Sequence, residues 1–186
     1  MTMLIVVYGP SGVGKSVVMR RLVEAYGWRR VRTVSTRPNR CDEDRLSVSE
    51  AVFSALQSDG RLAHINYFYG HYYASMVEDL VEGSKPECKE KYVVDMSVER
   101  PLPRDLFPHL AIVILPRDEE QLRQQLRAAQ RDAREGEALI EYRAIYIKRD
   151  KLQERLGDPT IVLTNSGSVE AITEQISATA GMVAKR

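Results

Sequence analysis

Eight residues near the start of the chain, Gly9-Pro10-Ser11-Gly12-Val13-Gly14-Lys15-Ser16, satisfy the pattern G-x-x-x-x-G-K-[ST] at every fixed position. They follow a short apolar run, Met3 to Tyr8, and open a stretch of helical spacing, Lys15 to Tyr26, that Gly27 closes. This context turns a short pattern into a constraint on the fold: a buried strand, a tight glycine turn, and a helix N-terminus aimed at an anion. At average residue frequencies the four fixed positions coincide in roughly one chain in a hundred of this length, before strand and helix are counted. The loop is therefore expected to hold nucleotide phosphates through Gly9, Ser11, Gly12, Val13, Gly14, Lys15, Ser16 and Val17. Lys15 would reach the β/γ-phosphates and Ser16 would ligate Mg2+.

The rest of the chain fits an α/β domain built around that loop. Its 186 residues suit one domain, with 44% hydrophobic and 28% charged residues near soluble averages. Apolar, β-branched runs at Met3 to Tyr8, Tyr92 to Val94, Leu110 to Leu115 and Thr160 to Leu163 read as parallel strands buried on both faces, with Val31 to Ser35 a fifth. Helical spacing covers Lys15 to Tyr26, Glu119 to Gln130, Ala138 to Leu156 and Ser168 to about Ala180. The expected architecture is a mostly parallel five-stranded sheet with flanking helices, its core in residues 1–35, 84–126 and 143–186. Two segments break the rhythm and read as insertions over the site: an aromatic-rich stretch over 36–83 and a charged lid over 127–142.

Composition narrows the partners. No apolar run approaches the roughly 20 residues that span a bilayer, and no basic leader precedes the first strand. Cys41 and Cys88 are too few and too far apart for a zinc cluster, and His64, His71 and His109 lack metal-ligand spacing. A net charge of +1 gives no field to gather nucleic acid or an anionic membrane. The expectation is a cytoplasmic monomer or homodimer that binds neither, and that catches its anions at a local site.

Past the loop, the Asn-Lys-x-Asp by which switch GTPases read guanine is absent. Present instead is Ser35-Thr36-Arg37-Pro38-Asn39-Arg40-Cys41-Asp42-Glu43, two arginines three apart in a proline-interrupted loop, suited to gripping a phosphate bidentately. Together with the phosphate loop this resembles the guanylate kinase family, whose pattern continues as Ser/Thr-Thr-Arg-x-x-Arg-x-x-Glu. Tyr69-Gly70-His71-Tyr72-Tyr73-Ala74-Ser75 looks like the family's Gly-Asn-x-Tyr-Gly-Ser. Tyr92-Val93-Val94-Asp95 is similar to its strand ending in Asp, and Ile161-Val162-Leu163-Thr164-Asn165 to its late strand and Asn.

The resemblance implies a P-loop NTPase fold and an ATP-dependent kinase using Mg2+. It assigns the acceptor phosphate to Arg37 and Arg40 with hydroxyls from Ser35 and Tyr73, and places Glu43 and Ser75 beside them. Asp95 would hold water on the metal or orient the acceptor, and Asn165 would serve the nucleotide. In the lid, Arg127, Arg131 and Arg134 are candidates for steadying the transferred group. The family's Arg-Leu-x-x-Arg reads Gln125-Leu126-Arg127-Ala128-Ala129 here, so Arg143 on the following helix is the one that transfers.

Departures concern the acceptor. Guanylate kinases read guanine through a Glu and a second Asp at places that hold His64 and Ser97 here, and Ala74 replaces a Gly. A site that hydrogen-bonds one base rejects others by about 10⁴-fold or more, so losing both carboxylates should remove most guanine preference. Glu43-Asp44-Arg45-Leu46-Ser47-Val48-Ser49-Glu50-Ala51-Val52-Phe53 resembles the ribose 1,5-bisphosphate phosphokinases, as do Ser97 and Leu102-Pro103. The expected activity is thus phosphoryl transfer from ATP to a small phosphate-bearing acceptor, a ribose phosphate first. A nucleoside monophosphate kinase, of guanylate or altered base preference, is the alternative. A non-catalytic module that binds phosphopeptides is the reading of a different class, against which the intact loop speaks.

Overall fold

The computed structural model describes residues 4–39, 45–68, 70–130, 135–165 and 168–183. Five strands form a wholly parallel sheet: β1 (Leu4–Tyr8), β2 (Arg29–Arg30), β7 (Tyr92–Met96), β8 (Leu110–Pro116) and β9 (Thr160–Asn165), in the spatial order β2-β7-β1-β8-β9. β1 lies at the centre with Leu4 opposite Tyr92 and Ile5 opposite Leu110. Its five residues are all buried, and their alternation supplies both layers of core. Leu4, Val6 and Tyr8 join Leu80, Val94 and Val113 on one face. Ile5 and Val7 join Val18, Leu22, Ile172 and Ile176 on the other, where α1 (Lys15–Tyr26) and α7 (Val169–Val183) pack. Among the described residues no helix is long and apolar enough to cross a membrane.

The fifth strand differs from the sequence expectation. The edge strand is Arg29–Arg30, pairing with Tyr92 and Val93, and Val31 follows it with its N–H on the Val93 carbonyl at 2.9 Å; Thr33 to Ser35 do not add to the parallel sheet. The chain then turns away, and β3 (Thr33–Ser35) joins a separate four-stranded sheet with β4 (Leu46–Ser47), β5 (Leu62–Phe68) and β6 (His71–Met76), in the order β4-β3-β6-β5. The β5–β6 hairpin and the antiparallel pairing of β3 with β6 put Ser35 opposite Tyr73. Helix α2 (Glu50–Ser58), capped by Ser49 Oγ accepting the Val52 N–H, covers this sheet through buried Phe53. Helix α3 (Val77–Ser84) leads back, and its Leu80 is buried in the core of the parallel sheet.

The expected helix from Ala138 to Leu156 is two helices. After α4 (Glu119–Ala128), α5 runs Glu135–Ile147 and α6 runs Leu152–Leu156, with a 3-10 turn at Arg149–Lys151 between them. Four successive charged residues, Lys148 to Lys151, are all exposed, so this stretch has no side to bury. Leu152 and Leu156 then rejoin the core.

A buried polar chain closes the bottom of the sheet. Tyr8 Oη accepts the Leu102 N–H at 3.2 Å and lies 3.4 Å from His109 Nε2, while His109 Nδ1 donates to the Phe107 carbonyl at 2.7 Å. His109 is 2% exposed, and burial pushes its imidazole down to about 4. Burial lowers His64 as well. Between the unfolded histidine value near 6.5 and the folded one, the unfolded chain binds protons that the native state does not. Stability is thus full at neutral pH and declines as pH falls through that window, by up to about 1.4 kcal/mol per pH unit for each such histidine. Urea unfolding midpoints measured from pH 7 to pH 4.5 should fall steadily, and His109→Gln should flatten the curve.

Candidate active site

The loop between β1 and α1 is shaped by close approaches that leave no space for side chains. Gly9 has φ +145°, and a Cβ there would lie 2.3 Å from the Ile114 carbonyl oxygen. Gly12, at φ +85°, passes under α4, where a Cβ would meet Leu126 Cδ2 at 2.5 Å. From β9, buried Asn165 donates Nδ2 to the Val13 carbonyl at 3.0 Å. The loop is thereby fixed with the first turn of α1 facing a cavity of about 1090 Å³, lined among others by Ser11, Gly14, Lys15, Ser16 and Val17. Small-molecule sites usually span roughly 300–1,000 Å³, so this cleft has room for two ligands. Lys15 Nζ donates to the carbonyls of Gly9 at 2.7 Å and Pro10 at 3.0 Å. The Ser11 N–H donates to Glu141 Oε2, from α5, at 2.7 Å.

The opposite wall comes from the four-stranded sheet, which is antiparallel except where β3 pairs with β4. Arg37, Arg45, Tyr73 and Ser75 line the same cavity. The backbone of Arg37 is clamped by two hydroxyls: Ser35 Oγ accepts its N–H at 3.0 Å and Ser47 Oγ donates to its carbonyl at 3.0 Å. Thr36 extends the clamp by accepting the Tyr72 N–H on Oγ1 at 3.0 Å. Ser35 is fully buried and does not line the cavity, so its hydroxyl shapes the loop that presents Arg37. The Arg45 guanidinium lies over the Tyr73 ring, 5.0 Å from its centroid. Arg40 and Glu43 lie outside the described residues. Between the walls, Asp95 reaches the cavity from β7 with Arg30 Nη2 3.7 Å away.

No family model matches the chain. Guanylate kinase of Thermosynechococcus vestitus is 31% identical to it over 139 residues, 72% of each chain. Guanylate kinase of Trichormus variabilis is 30% identical over 139 residues, 72% of this chain and 69% of its own. The chain belongs to the guanylate kinase family. A guanylate kinase from Anaplasma phagocytophilum has the same fold, with a TM-score of 0.65 at 19% identity over 98% of this chain and 86% of that one. The protein is an ATP-dependent P-loop kinase with a guanylate-kinase-like fold.

Within that family fold, positions 64 and 97 are occupied by groups bonded to the protein itself. His64 stands at φ +54°, where β5 and β6 shift register, and its ring is turned toward the loop after β7. Its Nε2 donates to the Arg100 carbonyl and its Nδ1 accepts from Asn66 Nδ2 at 3.0 Å. Asn66 also donates to the His64 carbonyl at 3.0 Å and accepts from Arg100 Nη1 at 3.3 Å. Ser97 Oγ accepts the Glu99 N–H at 3.2 Å. All three side chains touch the cleft; the bonds of His64 and Asn66 to Arg100 tie the second sheet to the loop after β7, while that of Ser97 lies within the loop.

Among the described residues, the lid-region arginines Arg127 and Arg143 do not line the cleft. Arg143 makes a bidentate pair with Glu119, at 2.6 and 2.8 Å, and does not line the cavity. This pair holds the Glu119 carboxyl below its usual range. Arg127 is exposed near the end of α4, and Arg131 and Arg134 lie outside the described residues. Among the lining residues not foreseen from sequence are Arg45, Asn66 and Glu141: Arg45 and Glu141 belong to none of the phosphate-gripping motifs, and Asn66 lies on a strand, β5, that the sequence pattern did not mark. The clasp gives a direct test. Asn66→Ala leaves His64 Nδ1 and Arg100 without their partner, and should cost about 1–3 kcal/mol in urea unfolding.

Proposed function

We propose that the chain moves the terminal phosphoryl group of ATP to the phosphate of a nucleoside 5′-monophosphate, with weak discrimination among bases. One observation carries this reading: a single cleft joins the phosphate loop on one wall to Arg37, Tyr73 and Ser75 on the other. Lys15 would exchange the Gly9 and Pro10 carbonyls for phosphate oxygens, its charge then offsetting the charge that builds on the transferred group. Arg37 would grip the acceptor phosphate, helped by the Tyr73 and Ser75 hydroxyls, each hydrogen bond to a charged group contributing about 1.5–3 kcal/mol. The exposed rings of Tyr67 and Phe68, which also line the cleft, offer faces on which any base can stack.

Mg2+ suits the donors available. The Ser16 hydroxyl and the Asp95 carboxylate both face the cleft, and no group of three or more acidic, histidine or cysteine side chains suited to a metal occurs among the described residues. A few protein oxygens plus substrate phosphates is the usual environment of Mg2+. Ser16 and Asp95 would hold the ion, and its positive charge would offset the negative charge of the donor phosphates.

A second reading, a ribose phosphate acceptor, is favoured by His64, whose two ring nitrogens are already bonded inside the protein, and by Ser97, whose hydroxyl already accepts the Glu99 N–H. A transfer panel read by phosphorus NMR separates the two. The four common nucleoside monophosphates should be used with kcat/KM values within about tenfold of each other, because no carboxylate stands at positions 64 and 97 to reject a base. A tenfold or greater advantage for ribose 1,5-bisphosphate would move the assignment to the sugar phosphate. A preference for GMP of about 10⁴ would instead mean that an unrecognised base reader exists. Lys15→Ala should lower kcat by at least about 10²-fold with an unchanged melting temperature. Turnover within tenfold of wild type would defeat the mechanism.

A further inference from the structure

Glu141 has no part in the transfer just described, yet it lines the cleft and bonds the phosphate loop itself. Its carboxylate accepts the Ser11 N–H at 2.7 Å, joining α5 to the phosphate loop across 130 residues of sequence. Loop amides at a helix N-terminus are shaped for the oxygens of a phosphate, and a carboxylate offers the same anionic, charge-assisted acceptor. Lys15 is turned inward at the same time, its ammonium on the Gly9 and Pro10 carbonyls. The loop thus has its charge partner and an amide partner supplied from within the chain.

The surroundings of Glu141 give it somewhere else to go. It lines the main cleft and also a second cavity of about 450 Å³, behind α5, floored by Val98, Ile145 and Leu152. Lys148 and Lys151 stand on the rim of that cavity, and neither makes an ion pair among the described residues. A carboxylate driven off the Ser11 amide can rotate into the open space of a cavity that these two cationic side chains also line, without α5 unwinding.

We propose that Glu141 is a displaceable stand-in for phosphate, occupying the resting loop and expelled when the polyphosphate of the donor arrives. It is then a determinant of nucleotide affinity, since a ligand binds only the fraction of molecules in which the carboxylate has left. This rests on the reading of the loop as a triphosphate site, and not on the identity of the acceptor.

Calorimetric titration of wild type, Glu141→Gln and Glu141→Ala with inorganic triphosphate and with ATP tests it. The glutamine retains an acceptor for the Ser11 N–H while removing the charge, which protects the fold should alanine fail. Both ligands should bind about tenfold more tightly to Glu141→Gln, which corresponds to a wild-type loop about nine-tenths occupied by the carboxylate. The Ser11 amide resonance of unliganded protein should also move, since its acceptor has lost its charge. Unchanged or weaker binding by the variant, with wild type binding ATP normally, would overturn the role of Glu141 and leave the kinase reading standing. Failure of every form to bind either ligand would overturn both.

Discussion

At Gly9 the backbone runs so close to the Ile114 carbonyl that even a methyl group would sit inside van der Waals contact, and the same holds at Gly12 against Leu126. These approaches tie the loop to β8 and α4, while Asn165 ties it to β9. The phosphate site is therefore a property of three strands and two helices acting together. It exists only when the parallel sheet is in register, because Ile5 opposite Leu110 and Ile112 opposite Ile161 are what bring Ile114 and Asn165 to the level of the loop. Folding of the core and assembly of the site are one event.

The other wall of the cleft is built on a different principle. Its sheet is small and mainly antiparallel, and one buried aromatic, Phe53, anchors the covering helix. Hydroxyls on three residues, Ser35, Thr36 and Ser47, hold the backbone around Arg37. A long cationic side chain loses much rotamer freedom when it grips an anion, and fixing its backbone beforehand reduces what remains to be ordered. The fully buried Ser35 shows the division of labour: its register position opposite Tyr73 puts it behind the site, where it supports rather than touches.

How much of this could be read from the sequence depended on whether the signal was local. The loop, β1 and α1 were legible because glycine spacing, strand burial and helix start coincide within 24 residues, from Met3 to Tyr26. The parallel sheet was legible too, except at its edge. There Arg29 and Arg30 pair with β7 in spite of their charge, since an edge strand of two residues buries little, and only Thr33 to Ser35 of the more apolar run pass to the second sheet while Val31 stays in the parallel-sheet core. The β5–β6 hairpin was obscured by its aromatic residues, which mix exposed Tyr67 and Tyr72 with buried Ala74 and so blur the alternation. Arg143 and Glu141 show the limit of motif transfer. The residue that matched the family pattern is held by Glu119, and the one that matched nothing touches the phosphate loop.

His64, Asn66 and Arg100 shift how the acceptor must be held. A carboxylate at position 64 would be a reader, satisfied only when the correct base arrives; a histidine bonded at both nitrogens is a strut, satisfied in advance. The exchange secures the loop after β7 against the antiparallel sheet and removes a group whose desolvation would penalise a wrong base. On the proposed reading the base would meet the ring faces of Tyr67 and Phe68, and a pocket that discriminates by shape gains only about 1–3 kcal/mol between similar ligands. The hydrogen bonds that Arg37, Tyr73 and Ser75 could make to a phosphate are individually as large. The phosphate, more than the group attached to it, would then supply the energy that brings the acceptor oxygen into line, and selectivity would follow from what the cleft has room for.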